Sequence, residues 1–168
     1  MKVLVLARHA KAEVASPGQP DHSRVLEQRG QRDARALGAA LIAAGFEPDV
    51  VYVSDAARTL ETWEGVGAAW AVDAVDERPD LYATTVGVVL AVVRGTPPGA
   101  SNVIMIGHEP TMSSTAALLA GPGSSRVALA RLSGGLRTGA AAVLEFDGEW
   151  ADLGKGAARL RAVVGRDD

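Results

Sequence analysis

Residues Lys2 to Ala7, KVLVLA, are apolar after the first lysine and show no alternation. A strand with one wet face alternates. A continuous run of β-branched residues and leucine is what a strand covered on both faces requires, and such strands belong to parallel sheets. Asn102 to Gly107, NVIMIG, repeats the pattern, and Asp49 to Val53 gives a shorter version. Between the first two strands in chain order, a polar loop from Glu13 to about Ser23 precedes a helical pattern. Ala34, Leu37, Leu41 and Ala44 share one face of it, and Gly45 is placed to cap its C-terminus. Ser54 is a candidate N-cap for a helix over Ala56 to about Trp70, with Leu60, Trp63 and Val66 or Gly67 facing inward.

The alternation continues. Ala71 to Val75 is expected to form a further strand, and Thr84 to Arg94 a helix. The turn GTPPGAS leads into NVIMIG, and Pro110 suits the first turn of a helix reaching about Leu119, ended by GPGSS. Val127 to Leu132, Ala140 to Phe146 and Trp150 to Leu153 read as strands separated by glycine-rich turns, before a short C-terminal helix. Such an order predicts an α/β fold: a single domain over residues 1–168, built as a three-layer αβα sandwich with a mostly parallel central sheet and helices on both faces. At 168 residues the chain suits one domain.

Composition narrows the function. With 17 Lys+Arg against 20 Asp+Glu the net charge is -3, so no nucleic-acid or membrane partner is expected, and any anion site is local. Aromatic residues make up only 4%, too few for a base-stacking surface. The absence of cysteine excludes a disulfide framework, thiol catalysis and a Cys-based zinc site. Arg8 falls too soon after Met1 for a signal-peptide core, and no later segment approaches the roughly 20 apolar residues of a membrane helix. A cytoplasmic enzyme is the expectation.

In open parallel sheets, ligands bind beyond the carboxyl ends of the strands. Those ends hold Arg8 and His9 after the first strand, Ser54 with Arg58 one turn later after the second, and His108 after Gly107. Arg58 lies in a first helical turn, where the macrodipole disfavours a cation unless an anion is near; Glu61 is an alternative partner. Arg8, at the end of a buried strand, requires a planar bidentate partner, and phosphate fits that fork. Beside two guanidinium groups His9 is biased towards neutral imidazole, the form able to attack as a nucleophile. His108 could donate to an equatorial oxygen as charge develops.

The pieces LARHAKAE, SRVLEQRG, SDAARTLET, GHEP and RTGAAAVLEF, in this order, resemble the histidine phosphatase superfamily with its phosphoglycerate mutase-like fold. The resemblance is strongest to its short SixA-type phosphohistidine phosphatases. It implies transient phosphorylation of His9, a phosphate clamp of Arg8 and Arg58, His108 as stabilising electrophile, and no metal or other cofactor. Arg24, in the second motif, and His22 would rim the site, with Lys11 extending the positive field. Two positions depart from the family pattern: Ala10 stands where glycine is usual, and Glu27 replaces a threonine in a helix-start role.

Larger members deliver a proton to the leaving oxygen from a glutamate near an inserted lid. This chain is short for that lid, and Asp80 in RPDLY is the candidate acid. An alkoxide needs such a proton, a contribution of roughly 10²- to 10⁴-fold, whereas a departing imidazole can take one near neutral pH. The expectation is therefore a metal-independent phosphatase acting on phosphohistidine of a phosphorylated protein partner in signal transduction, with inorganic phosphate as product. The alternatives are a small-molecule phosphomonoesterase for sugar phosphates or nucleotides, and a non-catalytic phosphoprotein-binding module.

Overall fold

A computed structural model describes residues 1–72 and 74–165. Six strands, β1 (Lys2–Arg8), β2 (Val50–Ser54), β3 (Val75–Arg78), β4 (Asn102–Gly107), β5 (Ala141–Phe146) and β6 (Arg159–Val164), form one sheet in the order β3-β2-β4-β1-β5-β6. The first four are mutually parallel, β5 runs antiparallel to β1, and β6 antiparallel to β5. Five α-helices accompany it: α1 (Gln28–Ala43), α2 (Ala57–Gly67), α3 (Val86–Arg94), α4 (Thr111–Leu119) and α5 (Arg126–Leu132).

Unbroken apolarity in β1 and β4 has the expected cause. Leu4 and Leu6 of β1, with Val103 and Met105 of β4, join a core that includes Val89, Val93, Met112, Leu119 and Leu132 from α3, α4 and α5. The intervening Val5 and Ala7, with Ile104 and Ile106, join a second core on the other face, with Leu37 and Leu41 of α1 and Val66 of α2. The architecture is the predicted αβα sandwich. Among the described residues no helix is long and apolar enough to cross a membrane.

Several elements differ from expectation. Val127 to Leu132 is helix, not strand: Ser125 accepts from Ala128 N at 3.3 Å as an N-cap, and only Ala128 and Leu132, one turn apart, are buried. Trp150–Asp152 is a short 3-10 turn rather than a strand. No C-terminal helix follows among the described residues; β6 occupies that part of the chain, carried by its pairing with β5. The strand expected at Ala71 to Val75 begins only at Val75, and Asp73 of that span lies outside the described residues. This edge strand, VDER, is polar and largely exposed. It therefore lacks the apolar signature that marks its neighbours.

Register positions the site. Arg8 of β1 pairs with Gly107 of β4, and Val53 of β2 pairs with Ile106, so the carboxyl ends of three adjacent strands finish at one level. His9, His108 and Ser54 therefore stand side by side although 99 residues separate His9 from His108 in sequence.

Candidate active site

His9 is buried, and its ring lies 5.3 Å from that of His108 between centroids. Its Nδ1 is 2.7 Å from the carbonyl of Ala10. A carbonyl only accepts, so Nδ1 carries the hydrogen and Nε2 keeps the lone pair. Burial, reinforced by the charges of Arg58, Arg8 and Arg24, pushes the His9 pKa down to about 4. The ring is therefore neutral at physiological pH.

Two contacts from elsewhere in the chain hold this ring's backbone. The buried hydroxyl of Thr62 accepts from Ala10 N at 2.9 Å and donates to the Arg58 carbonyl at 2.6 Å, while Gly139 N donates to His9 O at 3.0 Å. Ala10 is itself buried, with an ordinary backbone conformation, so the side chain that replaces the usual glycine is absorbed by the core without strain.

Arg58 projects from the first turn of α2, as the sequence places it, and its side chain is only 7% exposed. The partner suggested for it, Glu61, instead accepts from Leu26 N. Arg58 donates to the carbonyl of Asp21 at 2.9 Å and to its carboxylate at 3.0 Å. The buried face of α2 also differs from the expected one: Arg58, Thr59, Thr62 and Val66 are buried, whereas Leu60 and Trp63 are only partly so. Arg8 donates to the Leu136 carbonyl at 3.0 Å. The Nε atoms of Arg8 and Arg58 are buried donors with no acceptor.

His108 takes its orientation from Ser54, whose hydroxyl lies 2.8 Å from Nε2, and from Arg58, whose Nη2 lies 3.4 Å from Nδ1. Ser54 is thus a partner of His108 and not the N-cap of α2, a position held by Ala56. Arginine cannot accept, so Nδ1 faces it with a lone pair and Nε2–H donates to Ser54. Burial, then the neighbouring His9 and Arg58, lowers the His108 pKa to about 3.

Around this centre lies a rim that the sequence disclosed in part. Asp21, in the 3-10 turn Asp21–Ser23, receives hydrogen bonds from Arg58, from Arg24 Nε at 2.9 Å and from the Tyr82 hydroxyl. These donors, the Tyr82 hydroxyl foremost, hold its carboxyl well below the usual range. His22 is bonded to Asp55, 2.8 Å from Nε2 to Oδ1, and its ring packs edge-on against Tyr82. Asp21, Asp55 and Tyr82 carry no motif signal that singles them out.

Glu109 was also unassigned. It accepts from Ser113 N, Ser113 Oγ and Leu136 N, which braces the loop whose Leu136 carbonyl holds Arg8. Glu27 stands at the start of α1 but makes no side-chain cap, so the helix-start role expected of it is filled by backbone alone.

Asp80 corrects the expectation of an acid. Both of its carboxylate oxygens accept from Arg78, at 3.0 and 2.8 Å, and this pairing lowers its pKa. It is a carboxylate at neutral pH with no proton to give. It lines a different depression, with Tyr52, Asp76 and Val88. Among the described residues no three His, Asp or Glu side chains gather as a metal ion would need.

The charges of Arg58 and Arg8 act on a neutral histidine that has a second histidine beside it, and comparison with known proteins assigns the class of the chain. The family model for the histidine phosphatase superfamily (branch 1) matches residues 4–92. The chain belongs to that superfamily. An uncharacterized protein of Mycobacterium tuberculosis is 34% identical over 155 residues, covering 91% of this chain and 95% of the relative. The structure of a candidate phosphohistidine phosphatase SixA from Nakamurella multipartitia is 37% identical, with TM-score 0.85 over 97% of this chain and 95% of that one. A phosphoglycerate mutase from Plasmodium falciparum, 20% identical, shares the fold at TM-score 0.58 over 99% of this chain and 89% of its own.

Proposed function

We propose that the chain is a protein phosphohistidine phosphatase that works through a phosphohistidine intermediate on His9. The observation that carries this reading is a neutral imidazole under the charges of two arginines, Arg8 and Arg58, each of which keeps a buried Nε donor without an acceptor. An unpaired buried donor costs about 1–3 kcal/mol and more when charged; a phosphoryl group between the two guanidiniums accepts from both.

His9 Nε2 then attacks phosphorus in line, with Nδ1 held on the Ala10 carbonyl. Arg8 and Arg58 offset the charge of the transferring group. Burial and, after it, the charge of Arg58 keep His108 unprotonated; the incoming anion offsets both, so Nδ1 takes up a proton from solvent and hydrogen-bonds a phosphoryl oxygen with it. Water then cleaves the phosphoenzyme and releases inorganic phosphate.

The substrate follows from two considerations. The N–P bond broken in phosphohistidine and the N–P bond formed on His9 are alike, so transfer between the two imidazoles is close to balanced and asks least of an acid. The Nakamurella structure, 37% identical over nearly the whole chain, is that of a candidate phosphohistidine phosphatase. A phosphorylated signalling protein in the cytoplasm is the partner that fits.

Wild type and His9→Ala are to be compared on 4-nitrophenyl phosphate, a phosphohistidine protein and a sugar-phosphate panel. Wild type is expected to act fastest on the phosphohistidine protein and to trap radiolabelled phosphate on His9. Activity surviving in His9→Ala removes the nucleophile, faster hydrolysis of sugar phosphates removes the substrate, and binding without turnover leaves only a recognition module.

A further inference from the structure

We propose that His22, oriented by Asp55, is the group that exchanges the proton with the leaving atom. The inference rests on His9 as nucleophile but not on phosphohistidine as substrate. It starts from an imidazole that the phosphate clamp does not use. His22 Nε2 is fixed on Asp55 Oδ1 at 2.8 Å, and among the described residues Nδ1 makes no hydrogen bond. A carboxylate on one ring nitrogen sets the tautomer and leaves the other nitrogen to give and take a proton.

Its place follows from the topology. Asp55 directly follows β2, His108 follows β4 and His9 follows β1, and these strands are neighbours in the order β2-β4-β1. His22 and His9 thus stand over strands on opposite sides of the strand that carries His108. Adjacent strands are about 4.8 Å apart, which leaves roughly 10 Å for a phosphoryl group and its leaving atom. In-line displacement puts the leaving atom opposite the nucleophile, and in this proposal the in-line axis runs across β4, which brings that atom to the His22 side.

The ring is also anchored to the centre. It packs edge-on against Tyr82 at 4.8 Å, Tyr82 packs against His108 at 5.5 Å, and its neighbour Asp21 holds Arg58. The groups around it are Asp55 at the β2–α2 junction, Arg58 of α2, Tyr82, His108 and, on its own turn, Asp21. Asp80 is committed to Arg78, whereas among the described residues His22 keeps Nδ1 without a hydrogen-bond partner.

In the first step His9 Nε2 forms a bond to phosphorus with its lone pair. The bond from phosphorus to the leaving atom breaks, the electron pair stays on that atom, and the atom takes the proton from Nδ1 of the His22 imidazolium, directly or through one water. In the second step a water oxygen bonds phosphorus and gives a proton to Nδ1. The P–Nε2 electron pair returns to His9, and both histidines are restored.

The test is the dependence of phosphoenzyme formation on the leaving group, with 4-nitrophenyl phosphate (good leaving group) and phenyl phosphate (poor) in wild type, His22→Asn and Asp55→Asn. His22→Asn is expected to lose about 100-fold or more on phenyl phosphate and under about tenfold on 4-nitrophenyl phosphate, with Asp55→Asn changing in the same sense. Equal losses on both substrates overturn the proposal, as does a wild type whose rate falls between them as steeply as that of His22→Asn. His9→Ala is the control that separates this result from failure of the nucleophile.

Discussion

Thr62 shows what single side chains contribute at the residue scale. Its hydroxyl joins the segment after β1 to the first turn of α2, and so ties the backbone beside His9 to the residue that carries the Arg58 guanidinium. Thr62→Val keeps the shape and leaves Ala10 N unpaired, which costs about 1–3 kcal/mol. Urea denaturation should show that loss, and kcat/KM on 4-nitrophenyl phosphate should fall at least about tenfold, because small displacements of a nucleophile are costly. Thr62→Ser should recover most of it; a valine variant with wild-type turnover would refute the coupling. Arg8, His9, Arg58 and His108 were legible because strand ends mark them in sequence. Thr62 was marked only as the last residue of SDAARTLET, without its bond to Ala10 across 52 residues, and Asp21 and Tyr82 were not marked, because their roles are contacts across 37 and 61 residues.

At the scale of elements, legibility followed the source of each element's stability. β1 and β4 declared themselves because burial on two faces dictates their composition. Gly45, with φ of +75°, caps the end of α1 as read from its position, since few other residues adopt that conformation. β6 was hidden because RLRAVV is held by pairing with β5 and by Arg161 on Glu145, neither of which is local. α5 was hidden because a segment as short as RVALARL fits either period, and Ser125, its cap, was absorbed into the preceding turn. Packing between α1 and the segment after β1 yields a test. A Cβ on Gly30 would lie 2.2 Å from the Lys11 carbonyl oxygen, which also accepts from Glu27 N. Gly30→Ala must push α1 away from the backbone that carries His9. A loss of about 1–3 kcal/mol is expected, with reduced turnover of 4-nitrophenyl phosphate; unchanged melting and turnover would show that the contact is soft.

Across the whole molecule, the site makes stability depend on pH. His9 and His108 titrate near 6.5 when unfolded and at about 4 and about 3 when folded. Between those values the unfolded chain binds more protons than the native one, so stability falls as pH falls from about 6.5 towards 4 and is flat above about 7. Each histidine contributes a slope of up to about 1.4 kcal/mol per pH unit. Together they remove on the order of 3 kcal/mol between pH 6.5 and 5, a large part of the ~5–15 kcal/mol typical of such a fold. The carboxylates with lowered values, Asp21 and Asp80, act in the same direction but in a lower window, below their unfolded pKa of 3.8. They therefore leave the range above pH 5 to the histidines. Urea denaturation at pH 7.5, 6.5, 5.5 and 5.0 should give a flat region followed by a steep decline, and His9→Gln combined with His108→Gln should flatten the decline. A wild type equally stable at pH 6.5 and 5.0, or a double variant with the wild-type slope, would mean that the two rings are not held neutral by the fold. The neutral nucleophile on which phosphoryl transfer depends would then lose its physical basis.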